Sequence, residues 1–368
     1  KKGNKLDQKL LKILERVIHR NDCTITLYEK KTYGNYCIIY LIIKKIEKKK
    51  ISEVNIGFVG QSQCGKTTTI SSVAYGQLDN GNGYSRKLIF RHDHEKLTGI
   101  TSSIKKEIVG MHGTSNDTNI VNYCAGIESS WENIVLMSDR IINLIDLPGN
   151  IKYIKTTMFG LSVYAPDAIC FVSNLCIHKF IDNSDTNDLE MLKFYKTYCD
   201  ILKLGFLLVL TCKDISHKCC PACNDVSDEI HRIHIDGQDI DYINISNVTG
   251  HGLNHLKRFL CTIEYKYDLE SAQNINDDNV FNTLETYFVQ DAGTIFSGIV
   301  NFGSLNLDQE IYISNNKEIV QGTIKSIYKK QINSQTLFQR ETGTIHLDIN
   351  AFNSSKNIII STKKYKQH

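Results

Sequence analysis

At 368 residues the chain exceeds one average domain, and typical domain sizes predict two or three. With 41% hydrophobic and 23% charged residues it reads as globular and too apolar for a disordered chain. A net charge of +3 is too small to argue nucleic-acid binding, and apolar runs of about ten residues are too short to span a membrane.

Residues 6 to 18 place Leu6, Leu10, Ile13, Leu14, Val17 and Ile18 on one face, predicting an amphipathic helix. Strand-like runs follow at Thr24–Tyr28 and Tyr36–Ile43, separated by a turn at Gly34 and Asn35, and the basic stretch Lys44–Lys50 comes next. From Val54 short apolar strands alternate with helices. The strands are expected at Asn55–Val59, Ile141–Asp146, Ala168–Val172, Phe206–Thr211 and Tyr242–Ser246, the main helices at Asp188–Lys203 and Leu253–Tyr265. That alternation predicts an α/β fold with a mostly parallel sheet covered on both faces. Asp268–Asp278 is polar and unpatterned, the expected linker. Beyond it the period falls to two, with strands expected at Tyr287–Val289, Thr294–Val300, Glu310–Ile313, Ile324–Tyr328, Thr344–Leu347 and Ile358–Ser361. Such strands, with turns at Gly293, Gly303 and Asn315, predict a small antiparallel β-barrel. The division is therefore a helix plus strands over 1–50, an α/β domain over 51–270 and a barrel domain over 275–368.

The strongest motif is Gly60-Gln61-Ser62-Gln63-Cys64-Gly65-Lys66-Thr67, followed by Thr68. It fits the GxxxxGK[ST] phosphate-binding pattern between an apolar strand and a helix running from Lys66 through Tyr75. Glycines let backbone N–H groups turn inward around an anion, and the helix N-terminus adds partial positive charge. Lys66 reaches the outer phosphates in such a loop, and Thr67 offers its hydroxyl to Mg²⁺. A second apolar strand ends at Asp146, with Gly149 three residues later. This places a carboxylate beside the phosphate loop, where it can hold Mg²⁺ through water, and a glycine N–H that can sense a γ-phosphate.

These motifs, with Gly99-Ile100-Thr101 between them, resemble the first three motifs of the translational GTPases, the elongation factor Tu class. Tyr75–Gly83, Phe90–Glu95, Thr98–Ser103, Lys152–Leu161 and Ile245–Gly250 are similar to the GTP-binding protein one and two branch. Gly293–Gly298 resembles the start of that family's barrel, so the likeness covers roughly residues 52 to 365. The resemblance implies GTP and GDP as ligands, Mg²⁺ held by Thr67, Thr101 and Asp146, and Thr101 as the switch threonine. It further implies that Thr211, Cys212 and Asp214 form the guanine loop, with Asp214 accepting the two guanine N–H donors. Ser246 and Asn247 fall on the last base-contact loop, and work with ribosomes, tRNA or other RNA is implied in the same way.

Three departures from the family pattern bear on activity. Cys212 replaces the lysine whose stem packs on the base, and Gln63 fills the phosphate loop's acidic position. Asn150 stands where a histidine orients the attacking water. An amide hydrogen-bonds water but carries no positive charge. The expected reaction is Mg²⁺-dependent GTP hydrolysis with Lys66, Thr101 and Asn150 as its catalytic residues. The alternative is a nucleotide-binding adaptor that holds GTP or GDP without useful turnover.

Twelve cysteines without an apolar leader read as reduced thiols in a cytoplasmic protein rather than a disulfide framework. Cys220 and Cys223, with His231 and His234 on one expected helical face, have ligand-type spacing for zinc. The interval between the pairs is short for common zinc modules, and an ordinary reduced-cysteine loop is the better account. Arg91, His92, His94 and Glu95 read either as a solvated mobile loop or as a contact to RNA or a partner. Phe296, Phe302 and Tyr312 read as packing residues rather than a base-stacking platform. The chain opens KKGNKL without Met, as a piece of a longer protein would. With its first barrel ending near His368 it is short by one barrel for the elongation factor Tu class. Oligomeric state has no signature in the sequence.

Overall fold

The computed structural model describes residues 23–33, 36–45, 52–90, 92–112, 119–121, 131–136, 138–182, 186–211, 229–263, 279–289, 293–314, 319–330, 332–349 and 358–362. The expected helix over residues 6–18, the linker 268–278 and the turn at Asn315 lie outside them. The chain divides into two compact units, Lys1–Ile51 and Ser52–His368. In the first, β1 (Cys23–Tyr33) and β2 (Tyr36–Lys45) form an antiparallel pair whose register shifts between Leu27 and Glu29.

The second unit begins with β3 (Ser52–Val59), α1 (Lys66–Tyr75), α2 (Asp93–Thr98), β4 (Lys105–His112), β5 (Asn119–Val121) and α3 (Trp131–Leu136). There follow β6 (Arg140–Asp146), α4 (Ile154–Tyr164), β7 (Ala168–Ser173), α5 (Ile177–Ile181), α6 (Thr186–Leu202) and β8 (Gly205–Leu210). The region closes with β9 (His231–Ile235), β10 (Gln238–Asn244) and α7 (Leu253–Thr262). Its sheet runs β5-β4-β6-β3-β7-β8-β10-β9. The five strands β6, β3, β7, β8 and β10 are mutually parallel, and β4, β5 and β9 add antiparallel edges. All six residues of β7 are buried, as expected of a strand covered on both faces. One apolar cluster joins Val54, Ile56 and Phe58 of β3 to α1 (Ile70, Val73) and α7 (Leu253, Leu256, Leu260). The opposite cluster joins Ile169 and Phe171 of β7 to Leu161 of α4, Phe180 of α5 and Leu192 and Tyr195 of α6.

The remaining strands are β11 (Val280–Val289), β12 (Gly293–Phe302), β13 (Ser304–Asn306), β14 (Glu310–Ser314) and β15 (Ile319–Lys329). After them come β16 (Ile332–Ser334), β17 (Thr336–Phe338), β18 (Thr342–Asp348) and β19 (Ile359–Ser361). The ring β14-β19-β11-β12-β18-β15 closes through a β14–β15 pairing, giving a six-stranded antiparallel barrel. Closure removes free sheet edges, and the interior is packed by Phe281, Phe296, Ile313, Ile327 and Ile345. Phe296 is thus a core residue as expected, whereas Phe302 is 55% exposed.

One expectation fails. His231 and His234 lie on a strand rather than a helix, and positions three apart on a strand face opposite ways. His231 packs its ring on Tyr242, and His234 pairs with Asp239 at 2.9 Å. Strand β4 was unexpected, because only two consecutive apolar residues, Ile108 and Val109, follow directly on its charged opening Lys105-Lys106-Glu107. No helix among the described residues is long and apolar enough to cross a membrane.

Candidate functional site

The site forms at the C-terminal ends of β3 and β6, which run parallel with Phe58 opposite Asp146. Beyond Val59 the chain turns through Gly60 (φ 135°), where a side chain would collide with the Val172 carbonyl. The loop continues through Gln61 and Ser62 to Gln63, itself at φ 64°, and to Gly65 at φ 103°. Helix α1 then starts with the Thr69 N–H donating to the Gly65 carbonyl at 2.8 Å, and no side chain caps it. Its first turn, including Thr67 and Thr68, therefore presents uncapped N–H groups with the positive end of the helix dipole.

Lys66 is 5% exposed. Its ammonium donates to the Gly60 and Gln61 carbonyls at 3.0 and 2.5 Å, and lies 3.6 Å from the Cys64 thiol. Among the described residues it has no carboxylate within ion-pair reach. A buried cation so placed is matched to an anion supplied from outside. Burial pushes the Cys64 thiol up, with Lys66 pulling the other way, so Cys64 is a packed thiol rather than a nucleophile.

Three side chains converge beside it. Thr67 Oγ1 donates to Asp146 Oδ2 at 2.7 Å, Thr101 Oγ1 donates to the same oxygen at 3.3 Å, and the two hydroxyls are 2.8 Å apart. All three residues are buried. Asp146 Oδ1 has no hydrogen-bond partner, and burial raises the carboxyl against the opposing Lys66 charge. Two hydroxyls and a carboxylate with a spare oxygen suit a hard divalent cation, which reverses such a shift when bound. Among the described residues no three His, Cys, Asp or Glu side chains cluster as a metal site. A magnesium site completed by phosphate and water oxygens needs no such cluster. Of the less favoured zinc reading, Cys220 and Cys223 lie outside the described residues, while His231 packs on Tyr242 and His234 pairs with Asp239.

Gly149 follows two residues after Leu147 and packs against the phosphate loop. A side chain there would come within 2.6 Å of the Gln61 backbone and run into the Gly60 carbonyl and Lys66 Nζ. Next to it, Asn150 uses its side-chain oxygen to accept the Lys152 N–H at 3.0 Å, capping the turn Ile151–Tyr153. The structure thus brings Lys66, Thr67, Thr101, Asp146 and Gly149 together and turns the Asn150 amide toward its own backbone.

The segment carrying Thr101 is anchored by Glu95, which is fully buried. Glu95 Oε1 accepts from the Ser102 N–H at 2.9 Å and its hydroxyl at 3.0 Å, while Oε2 pairs with Lys105 Nζ at 2.6 Å. Burial pushes the carboxyl up, but the bonds from Lys105 and Ser102 outweigh it and hold it down at about 2. Neither sequence reading of Glu95, as a solvated loop residue or a partner contact, survives: its charge is spent inside the protein. Asp79 plays a similar part upstream, receiving N–H groups of Gly81, Gly83 and Ser85 at 3.0, 3.0 and 2.8 Å. The alternation Asp79-x-Gly81-x-Gly83 was the available signal for such a carboxylate-centred turn.

At the base end, the Thr211 hydroxyl donates to the Cys64 carbonyl at 2.8 Å, tying the end of β8 to the phosphate loop. Cys212 and Asp214 lie outside the described residues. Ser246 and Asn247 are buried, and the Asn247 amide donates to Thr69 Oγ1 at 3.1 Å while its carbonyl receives the Asp79 N–H at 2.8 Å. They join α1 to the Asp79 turn. The space enclosed by Ser62, Gln63, Gly65, Lys66, Thr67, Thr68, Arg86, Gly99, Thr101 and Gly149 is ≈ 20 Å³, about one water's worth. Arg86 is the lining residue that sequence reasoning missed.

Residues 52–175 match the family described as the elongation factor Tu GTP binding domain. The chain is 28% identical to GTP-binding protein 1 of Xenopus laevis over 338 residues, 84% of this chain and 49% of that one. It is 27% identical to GTP-binding protein 2 of Homo sapiens over 328 residues, 80% of this chain and 52% of the relative. The chain thus spans about half the length of these curated relatives. Among solved structures, the GTP-bound S. cerevisiae Ski7 GTPase-like domain superposes with TM-score 0.57 at 15% identity, covering 85% of this chain and 75% of that one. The bacterial selenocysteine-specific elongation factor EF-Sec gives 0.53 at 15% identity, covering 84% and 45%. At that identity the two structures speak for the fold alone. With its phosphate-loop motif, parallel sheet and closed barrel, the chain is similar to these GTP-binding proteins, and over residues 52–175 it matches the elongation factor Tu GTP binding domain.

Proposed function

We propose that the chain binds GTP and GDP and hydrolyses GTP slowly, as an elongation-factor-like switch acting in translation or RNA turnover. The observation that carries the binding is the buried Lys66 ammonium, surrounded by loop carbonyls at the uncapped start of α1. In this reading Gly60–Thr68 wrap the phosphates, and Lys66 leaves the loop carbonyls to meet the outer phosphate oxygens. Thr67, Thr101 and Asp146 would hold Mg²⁺, which when bound neutralises phosphate charge and orients the terminal phosphoryl group. Thr211, Cys212, Asp214, Ser246 and Asn247 take the guanine end, with Asp214 selecting guanine over adenine. Ribosome, tRNA or other RNA are partner classes that rest on the family alone, as does a cytoplasmic location. The division proposed is an N-terminal region over 1–50, a nucleotide domain over 51–270 and a barrel domain over 275–368.

The adaptor reading has one specific observation in its favour. The Asn150 oxygen is occupied by the Lys152 N–H, so this side chain is not poised over an attacking water. A titration with GTP, GDP and ATP, followed by single-turnover hydrolysis with and without ribosomes, separates the two. Binding of guanine nucleotides at least about tenfold tighter than ATP, with turnover that needs Mg²⁺, is the expected result. Equal affinity for ATP ends the guanine assignment, and tight GTP binding without turnover in either condition establishes the adaptor. Asp214→Asn is expected to shift preference toward xanthine nucleotides, measured in the same titration.

A further inference from the structure

We propose that Arg86 is a catalytic residue, its guanidinium meeting the terminal phosphate of the bound nucleotide and stabilising the transition state from within the chain. The inference rests on the nucleotide reading above and supplies the positive charge that Asn150 lacks.

Arg86 stands in the short turn Ser85–Leu88 and lines the phosphate end of the site with Ser62, Gln63, Lys66, Thr101 and Gly149. Two glycines make its seat. A side chain on Gly83 would lie 2.7 Å from the guanidinium carbon and Nη2, and one on Gly99 would lie 3.0 Å from Nη2. Both glycines have positive φ, 77° and 68°, so the backbone on either side is bent to leave that space open. The Asp79 carboxylate fixes the approach, because it holds the N–H groups of Gly83 and Ser85 immediately before Arg86. Gly99 precedes Thr101 by two residues, so the guanidinium rests against the segment expected to respond to the γ-phosphate.

The guanidinium itself is unspent. No carboxylate pairs with it and no carbonyl accepts its N–H groups among the described residues, and it has no further polar contact. Lys105, by contrast, is matched to Glu95, and Arg340 to Asp167. An always-charged planar fork without a protein acceptor, at the mouth of a phosphate cradle, fits bidentate contact to phosphate oxygens.

In hydrolysis the water oxygen bonds to the γ-phosphorus, and the bond from phosphorus to the β,γ-bridging oxygen breaks. The electron pair of that bond remains on GDP, and a water proton leaves with inorganic phosphate. Charge grows on the bridging and γ-oxygens as this happens, and Arg86 stabilises it without exchanging a proton.

The test compares the wild-type chain with Arg86→Ala and Arg86→Lys. Each is titrated with GDP and with GDP plus aluminium fluoride, a mimic of the transferring phosphoryl group, and then followed in single-turnover GTP hydrolysis. Arg86→Ala is expected to keep GDP affinity within about threefold, which shows that it folds. It is expected to lose at least about tenfold in the aluminium fluoride response and about a hundredfold or more in turnover. Arg86→Lys, with charge but no fork, should fall between. The fluoride arm decides the matter even where wild-type turnover is too slow to compare. An Arg86→Ala chain matching wild type in both readouts overturns the role of Arg86 alone. A wild-type chain that takes neither GDP nor GTP overturns the nucleotide reading and this inference with it.

Discussion

Two adjacent lysines of β4 meet opposite fates. Lys105 lies 4.2 Å above the Phe90 ring and pairs with the buried Glu95. Lys106 points the other way, donating to Thr342 Oγ1 of the barrel, into a group where Glu53 and Glu341 face Lys106, Lys329 and Lys330. In the first, charges balance and the groups are sealed. In the second, three cations share two carboxylates beside a cavity of ≈ 1030 Å³ lined by Lys106, Lys330, Thr342 and Tyr328. A matched pair fixes geometry, whereas a cluster with one charge too many has an adjustable proton. The strand that follows Thr101 therefore connects a rigid anchor to a tunable junction.

The largest expected effect comes from breaking the matched pair. Glu95→Ala leaves Lys105 buried without its counter-charge and costs about 3–5 kcal/mol of stability, read from urea denaturation. It also releases Ser102, so the Mg²⁺ dependence of GTP affinity should weaken while GDP affinity changes less. The pH arm has a defined sign. Glu95 is depressed from 4.5 to about 2, so its stabilisation is complete above 4.5 and is lost as pH falls toward 2. Glu95→Gln should flatten that loss relative to wild type, and an unchanged acid slope would contradict the pair.

Next in size is the tie between the β17–β18 turn and the parallel sheet. Arg340 donates to Asp167 Oδ1 at 3.1 Å and to the Ala165 carbonyl at 2.6 Å, and Asp167 receives the Asn55 N–H at 2.9 Å. Burial raises the Asp167 carboxyl, and the Arg340 charge opposes it. Arg340→Ala removes that opposition and is expected to cost about 1–3 kcal/mol. Limited proteolysis should then release the barrel sooner than in wild type. Protease resistance equal to wild type would show that the apolar contacts carry the junction without it.

The contrast also explains what could be read in advance. Gly60–Thr67 and Asp146 were legible because their chemistry is local, a loop and a strand end at fixed offsets, whereas Thr101 stood out only through the family resemblance. The α/β alternation and the barrel were legible for the same reason, through apolar period and turn residues. Glu95, Arg86 and Lys106 were not. Charged residues are rarely fully buried, so Glu95 beside two histidines defaults to solvent until Lys105 is seen folding back across it. Arg86 acquires meaning only when Gly83 and Gly99, sixteen residues apart, close around its guanidinium. His231 and His234 were misplaced on a helix because their spacing of three was weighed before the period of the element that carries them, which is a strand.

The smallest effect belongs to Lys106, and it tests the tunable side of the comparison. Burial lowers its ammonium, Lys330 and Lys329 lower it further, and Glu53 and Glu341 only partly restore it, leaving it down at about 7 against an ordinary 10.5. Those same lysines overcome the burial of Glu53, whose carboxyl sits well below the usual range, so the carboxylate stays charged throughout. Between 7 and 10.5 the unfolded chain holds the Lys106 proton and the folded chain releases it. Stability from this group therefore rises with pH across that window and is flat below it. Lys106→Met should remove the rise, seen as denaturation midpoints that start close near about pH 7 and diverge toward about pH 10 as wild type gains on the variant. At neutral pH the variant should differ from wild type by no more than about 1 kcal/mol, since losing an unfavourably placed charge offsets the lost bond to Thr342. A variant that keeps the wild-type slope would move the adjustable proton from Lys106 to Lys330, the other lysine of the cluster that burial lowers.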